Sequence, residues 1–123
     1  MLEAYSTNIT VGANAAIPFN STSLIKGCTA THPSPDTFEL NKCGVYMVSC
    51  DVSTATSTTI QLYKNGVAQV QAQSTGDSPS FVTLVQVPNN NSCCPCDSAT
   101  TIQVRNTIAA TLTDVNITIT KLV

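Results

Sequence analysis

Short runs of alternating apolar and polar residues make up most of the chain, and turn residues separate them about every 8 to 12 positions. In the last run, Val115, Ile117 and Ile119 alternate with polar residues, as a strand with one buried face requires. Ile102 and Val104 follow the same rule. Since no apolar stripe recurs every 3.6 residues over a useful length, we expect almost no helix. The pattern predicts an all-β, antiparallel sandwich.

About ten strands are predicted, which suits a jelly roll of two stacked sheets. They cover residues 4–11, 15–19, 23–30, 37–41, 44–53, 58–64, 67–73, 80–88, 100–108 and 114–122. Asn65 and Gly66 stand between two alternating runs, and such residues easily take the two positive φ angles of a type I′ turn. We therefore expect a two-residue hairpin at this position.

Two runs break the alternation, because residues 45–48 and 81–85 offer apolar side chains to both faces of a sheet. Once one face is assigned to the core, the apolar positions left over are Val45, Met47, Val82 and Leu84. One interpretation is a partly exposed apolar face, which is common on protein surfaces. The other interpretation, which we favour, is that these side chains are buried between subunits.

The 123 residues fit one domain with a single core, so residues 1–123 are expected to form one jelly roll. Residues 1–14 are expected to be its first strand or a docking segment, because a terminus can add to a neighbour's sheet edge. No apolar stretch is long enough to span a bilayer, and we expect neither a signal peptide nor membrane association. The five basic residues are scattered along the sequence and the net charge is −2, so nucleic-acid binding is not expected.

Three segments in order resemble the globular heads of complement and tumour necrosis factor type. They are the Gly44 to Val48 run with its Gly-x-Tyr pattern, the run 60–67 that contains the Asn-Gly turn, and the closing run 115–123. The chain resembles most closely the C-terminal domains of bacterial spore-surface collagen-like glycoproteins and similar short proteins of phages and prophages. The resemblance implies a homotrimer that packs through the sheet containing residues 44–53 and 80–88.

The resemblance also indicates where such a trimer would act. No Gly-x-y collagen stalk precedes the head, which a spore-surface member would carry, so we expect a structural protein of a phage particle. It would be made in the host cytoplasm and sit on the virion surface, as a head-decoration or fibre-type module in contact with a capsid or other virion protein. The alternatives are a spore-coat or cell-surface protein of a Firmicute, and a module that binds a host glycan or receptor.

Five of the six cysteines are expected to gather at one end of the sandwich. They are Cys28, Cys43, Cys93, Cys94 and Cys96. A hairpin about Pro33 to Asp36 would bring Cys28 near Cys43, and the pairing of 44–53 with 80–88 that the resemblance implies would bring the other three there. One interpretation is two disulfides, each worth about 2 to 4 kcal/mol. A thiolate zinc site is the alternative, although no second pair of cysteines with the usual C-x₂₋₄-C spacing exists. Cys50 has the parity of a buried core residue.

The sequence shows no constellation for catalysis and no cofactor site. His32 is the one histidine, and we interpret it as a solvated residue of a proline-rich turn with no acid or nucleophile beside it. The carboxylates are dispersed along the chain, so an acid–base pair would have to arise from folding alone. We therefore do not expect an enzyme.

If the five cysteines converge, protein that has been exposed to air will show at most two free thiols per chain when it is titrated after unfolding. Reduction will then lower its thermal stability, because each disulfide restricts the unfolded chain. A chain that binds about one zinc ion, and loses stability with a chelator but not with a reductant alone, would instead establish the metal site. Six free thiols without metal would exclude both interpretations.

Overall fold

The computed structural model describes residues 1–27, 29–88 and 100–123, and these form eleven strands without a helix. The strands are β1 (Leu2–Val11), β2 (Ala15–Ala16), β3 (Ser21–Ile25), β4 (Ala30–Ser34), β5 (Thr37–Leu40), β6 (Gly44–Thr54), β7 (Thr58–Lys64), β8 (Val67–Gly76), β9 (Ser80–Val87), β10 (Thr100–Asn106) and β11 (Ala110–Lys121).

The strands form two antiparallel sheets that stack face to face. The first has the order β3-β1-β11-β6-β9, and the second has the order β4-β5-β10-β7-β8, with the short β2 also paired to β10. Alternate residues of both sheets enter one core, so Ile60, Leu62 and Ile102 of one sheet and Ile117 and Ile119 of the other are buried. The predicted all-β, antiparallel jelly-roll sandwich is confirmed.

The Asn-Gly hairpin has the predicted geometry. Asn65 and Gly66 have φ angles of 52° and 81°, and the flanking residues Lys64 and Val67 pair with each other. The turn is also held from outside, because the Asn65 side-chain oxygen accepts a hydrogen bond of 2.9 Å from the backbone N–H of Thr101. Pairing between β6 and β9 is confirmed as well.

The region between residues 21 and 37 differs from the prediction. One strand over 23–30 is wrong, because β3 and β4 are separate strands in different sheets, and Gly27 between them has a φ of 76°. The turn is also shorter than the four residues predicted, since Pro33 belongs to β4 and only Pro35 and Asp36 form the bend. Pro33 is tolerated there because β4 is an edge strand, where a missing backbone N–H need not cost a sheet bond.

The first residues of the chain are an integral part of the five-stranded sheet. Strand β1 pairs with β11 from Leu2 to Val11, and its other edge pairs with β3 from Leu2 to Tyr5. Over the residues 2–5, both edges of β1 are therefore already occupied. A neighbour's sheet could not add to this part of β1 without displacing one of its partners.

Gly44 and Tyr46 fix the end of the sandwich where β6 begins. Gly44 has a φ of 142°, and a Cβ atom there would overlap the backbone oxygen of Val123, so the position favours glycine. The buried Tyr46 hydroxyl donates a hydrogen bond of 2.7 Å to the carbonyl oxygen of Lys42 and lies 3.3 Å from that of Thr29. The Gly-x-Tyr pattern thus joins the turn before β6 to the residue that precedes β4.

Replacing Tyr46 with Phe keeps the buried ring but removes the hydroxyl, which leaves the Lys42 carbonyl without this donor. We expect the free energy of unfolding in urea to fall by about 1 to 2 kcal/mol. Tyr63, on the outer face of the six-stranded sheet, provides the control, and Tyr63→Phe should change stability by less than about 0.5 kcal/mol. Equal effects of the two substitutions would show that the Tyr46 hydroxyl does not stabilise the fold.

Candidate subunit interface

The four residues left over by the alternation argument come together on the outer face of the five-stranded sheet. Met47 of β6 pairs directly with Leu84 of β9, Val82 pairs with Ser49, and Val45 lies two residues before Met47 on the same face. We refer to Val45, Met47, Val82 and Leu84 as the β6–β9 patch. The sequence therefore identified side chains that are spatial neighbours.

The β6–β9 patch faces away from the core. Val82 and Leu84 are 65% and 58% exposed, whereas Val45 and Met47 are half-buried by their neighbours. The residues that alternate with them, such as Tyr46 and Phe81, are buried in the core. A contiguous apolar surface of this kind commonly marks an interaction site.

Two further apolar residues on the same face were not recognised in the sequence. Tyr5 of β1 pairs with Asn116, and Met1 immediately precedes β1; their exposures are 41% and 46%. They were missed because the first strand was predicted to begin at residue 4, which hid the alternation of Met1 and Tyr5 with the buried Leu2. Small polar residues of β11, such as Thr118, lie between these two side chains and the β6–β9 patch.

The margin next to β9 is apolar as well. Strand β8 is the last strand of its sheet and contacts β9, and it exposes Val67 and Val70. Residues 66–76 contain no charged residue and no proline, which are the usual devices that protect an edge strand from pairing. The apolar surface thus continues from the outer face of β9 around to the β8 edge.

The outer face of the six-stranded sheet has a different character. Thr59, Gln61 and Gln103 lie on it, and the Arg105 guanidinium lies 4.3 Å from the centre of the Tyr63 ring. Arg105 also donates a hydrogen bond of 3.2 Å to the Gln103 side-chain oxygen. Hydroxyls and amides of this kind are well solvated in water, so away from the β8 edge the described part of this outer face suits contact with solvent.

The structure tests the cysteine predictions in part. Cys50 is buried in the core as predicted, and Cys43 is half-buried at the end of the sandwich where β6 begins. The other four candidates, Cys28, Cys93, Cys94 and Cys96, lie outside the described residues. Among the residues that are described, no group of three or more metal-binding side chains is present. The disulfide and zinc interpretations both stay predictions.

The described residues beside those cysteines lie at the same end as Cys43. The carbonyl oxygen of Thr29 accepts a hydrogen bond of 2.8 Å from the Asn41 backbone N–H. Val87 pairs with Gly44, and Thr100 pairs with Leu40, which places Val87 and Thr100 near the turn before β6.

His32 is not the solvated turn residue that the sequence indicated. It lies on β4, where its ring stacks on Phe38 at a centroid distance of 4.2 Å. Its Nδ1 lies 3.0 Å from the Thr22 hydroxyl of β3, and its Nε2 lies 3.0 Å from the Pro35 carbonyl oxygen. The imidazole therefore links the neighbouring edges of the two sheets.

In the regions that the structure describes, no helix is long and apolar enough to cross a bilayer.

Comparison with known proteins identifies the fold. The sequence matches no family model and no curated protein. Similar solved structures include the globular domain of the zebrafish complement 1qA protein, at 11% identity and a TM-score of 0.68, which covers 99% of this chain and 96% of that one. Vertex protein P5 of PRD1 is similar at 16% identity and a TM-score of 0.69, and the match covers 99% of this chain and 96% of that chain.

Murine APRIL is also similar, at 12% identity and a TM-score of 0.68, with 98% of each chain covered. Identities this low show a shared fold and no more. At that level, the predicted resemblance to jelly-roll heads of complement and tumour necrosis factor type is confirmed. The finer likeness to spore-surface glycoproteins stays a prediction.

Cys50 should be chemically inert in the folded protein. Burial raises the pKa of its thiol far above the ordinary value, and the negative charge of Asp51 raises it further. The thiol therefore stays protonated at about pH 8, where an exposed cysteine is partly thiolate and reacts. We expect iodoacetamide to modify Cys50 only after unfolding, as measured by mass spectrometry of its peptide. Modification of the native protein at the rate of an exposed thiol would contradict the buried position.

Proposed function

We propose that this chain is a non-catalytic structural module that forms a homotrimer on the surface of a phage particle, as a head-decoration or fibre-type protein. The observation that supports self-association is the β6–β9 patch, an apolar surface on the outer face of the five-stranded sheet, where it does not contribute to the core. The fold likeness to complement-type heads, which the resemblance describes as trimers, supports three copies. The fold likeness to the vertex protein of PRD1 supports the phage setting.

The free energy available from the β6–β9 patch is close to what association requires. Burial of a Val, Leu or Met side chain contributes about 1.5 to 3 kcal/mol. Because Val45 and Met47 are already half-buried, the four side chains together would contribute less than the roughly 12 kcal/mol of four full burials, while association costs about 4 to 15 kcal/mol in lost motional freedom. A stable trimer therefore requires the additional apolar residues at the β8 edge and on β1.

The positions of these apolar residues favour a ring over a symmetric pair. The β6–β9 patch and the neighbouring β8 edge lie toward the β9 edge of the five-stranded sheet. Met1 and Tyr5 lie at β1, two strands away from β6 toward the opposite edge. A two-fold contact would use one patch against itself, but two separate patches can contact each other from copy to copy. When such a heterologous contact closes after three copies, each module uses both patches.

Lysine at position 84 or 47 should dissociate the assembly, because a charge desolvated in the contact costs several kcal/mol. We expect the wild-type protein to have the mass of three chains in sedimentation equilibrium at micromolar concentration, and Leu84→Lys and Met47→Lys to have the mass of one. Gln103→Lys is the control, because Gln103 lies on the outer face of the other sheet, two strands away from β8. A monomeric wild-type protein, or full assembly of both patch variants, would refute the interface.

The phage setting has its own test. We expect peptides of this chain in the mass spectrum of purified virions, at a copy number divisible by three. Cleavage by a protease added to intact virions should remove the chain before it removes the capsid protein, because a surface module is accessible. Recovery from spores or cell envelopes, with none in virions, would replace the phage setting by the spore or cell surface.

A further inference from the structure

The fold brings all four lysines of the sequence to one end of the sandwich. We call this the lysine end, and it consists of Lys26, Lys42, Lys64 and Lys121. Lys26 and Lys42 are exposed, and the other two are half-buried. These residues are far apart in the sequence, which is why their spacing gave no indication of a cluster.

Contacts around Gly44 hold three of these lysines close together. The side chain of Lys121 lies against Gly44, and Lys42 stands two residues before it. Lys64 reaches across from the other sheet, because its Nζ donates a hydrogen bond of 2.6 Å to the carbonyl oxygen of Gln86, which pairs with Val45.

Lys26 joins the same end through β1. The backbone N–H of Lys26 donates a hydrogen bond of 2.8 Å to the Met1 carbonyl oxygen, and the Met1 amine donates one of 3.0 Å to the Lys26 carbonyl oxygen. Met1 is followed by Leu2, which pairs with Ile119, two residues before Lys121. The lysine end therefore extends from β3 across the end of the five-stranded sheet and onto the β7–β8 hairpin of the other sheet.

Three exposed aspartates lie toward the opposite end of β6. Asp114 pairs with Ser53, and Asp51 stands two residues before Ser53 on the same strand. Asp77 is in the β8–β9 turn, where its backbone oxygen accepts a hydrogen bond of 2.9 Å from the N–H of Thr54. We call Asp51, Asp77 and Asp114 the aspartate end.

One carboxylate stands near the lysine end, because Glu39 pairs with Thr101, whose backbone N–H donates a hydrogen bond to the side chain of Asn65 next to Lys64. The other described charged side chains lie on the sides of the sandwich. Glu3 is on the outer face of β1, where its carboxylate accepts a hydrogen bond of 2.8 Å from the Ser23 hydroxyl. Asp36 is in the β4–β5 turn, and Arg105 stacks on Tyr63.

Opposite charges at the two ends cannot neutralise each other within one molecule. On β6, Asp51 stands seven residues after Gly44, which corresponds to about 23 Å at 3.3 Å per residue, and Asp77 and Asp114 lie farther along. Electrostatic attraction in solution is screened over about 10 Å at 0.1 M ionic strength. A second copy can bring a lysine end against an aspartate end within that range.

We propose that the lysine end of one copy docks on the aspartate end of another, so that modules stack end to end. This goes beyond the proposed function, because the trimer joins copies side by side whereas the stack joins them along the strand direction. Each exposed ion pair contributes only about 0.2 to 1 kcal/mol, so the contact depends on several pairs acting together and is sensitive to salt. Within a trimer, three lysine ends would meet three aspartate ends at once, which strengthens the contact through multivalency.

Charge reversal at each end tests the proposal. Light scattering of the wild-type protein should give a mean mass at least about twice as high at 10 mM as at 300 mM ionic strength, because screening separates the stacked units. Lys26→Glu/Lys42→Glu removes the excess of positive charge at the lysine end, and Asp77→Lys/Asp114→Lys makes the aspartate end basic. Each variant alone should stay unstacked at low salt, and an equal mixture of the two should associate again. Asp36→Lys is the control, which replaces an acid with lysine in the β4–β5 turn, away from both ends, and should leave stacking unchanged.

Three results would overturn the proposal. They are a wild-type mass that does not depend on salt, a mixture that fails to associate, and a loss of stacking in the lysine variant but not in the aspartate variant. The last result would indicate an acidic contaminant or polyanion as the partner of the lysine end. The mass at high salt reports the side-by-side assembly separately, so failure of the stack and failure of the trimer are distinguishable.

Discussion

The central constraint on this protein is that two neighbouring strands, β6 and β9, are apolar on both faces. One set of side chains, which includes Tyr46 and Val48, completes the core of the sandwich. The other set, the β6–β9 patch, has no place in that core because alternation along a strand sends it to the opposite side of the sheet. Water is a poor environment for such a surface, and a second copy of the chain is the partner that the fold itself suggests.

The rest of the architecture positions that surface. Strand β6 lies between β11 and β9 in its sheet. Its first residues are held by the close approach of Gly44 to the backbone oxygen of Val123 and by the hydrogen bond of the Tyr46 hydroxyl to the Lys42 carbonyl oxygen. One position after Tyr46, Met47 pairs with Leu84 of β9. The opposite outer face, with its threonines, glutamines and the stacked Arg105, is suited to contact with water. In the proposed module, the first face would serve assembly and the second would be displayed outward.

Local patterning in the sequence predicted much of this arrangement, because strands and tight turns depend on residues that are close along the chain. The alternation of Val115, Ile117 and Ile119 and the Asn65-Gly66 turn determined fold class and hairpin directly. Features that depend on distant residues were harder to predict. The separation of β3 from β4, the stacking of His32 on Phe38 and the gathering of the lysines all arise from sheet topology, which residue spacing does not encode. Met1 and Tyr5 were missed for a local reason, since the start of the first strand was placed too late.

The central claim is that Val82 and Leu84 are buried against another copy of the chain. Isotope-filtered nuclear Overhauser measurements on a mixture of methyl-labelled and unlabelled protein test it most directly, because they detect only contacts between different copies. We expect intermolecular signals from the Val82 and Leu84 methyl groups, and none from the methyl group of Thr59 on the solvent face of the other sheet. Signals from Val82 and Leu84 that arise only from within their own chain would contradict the account.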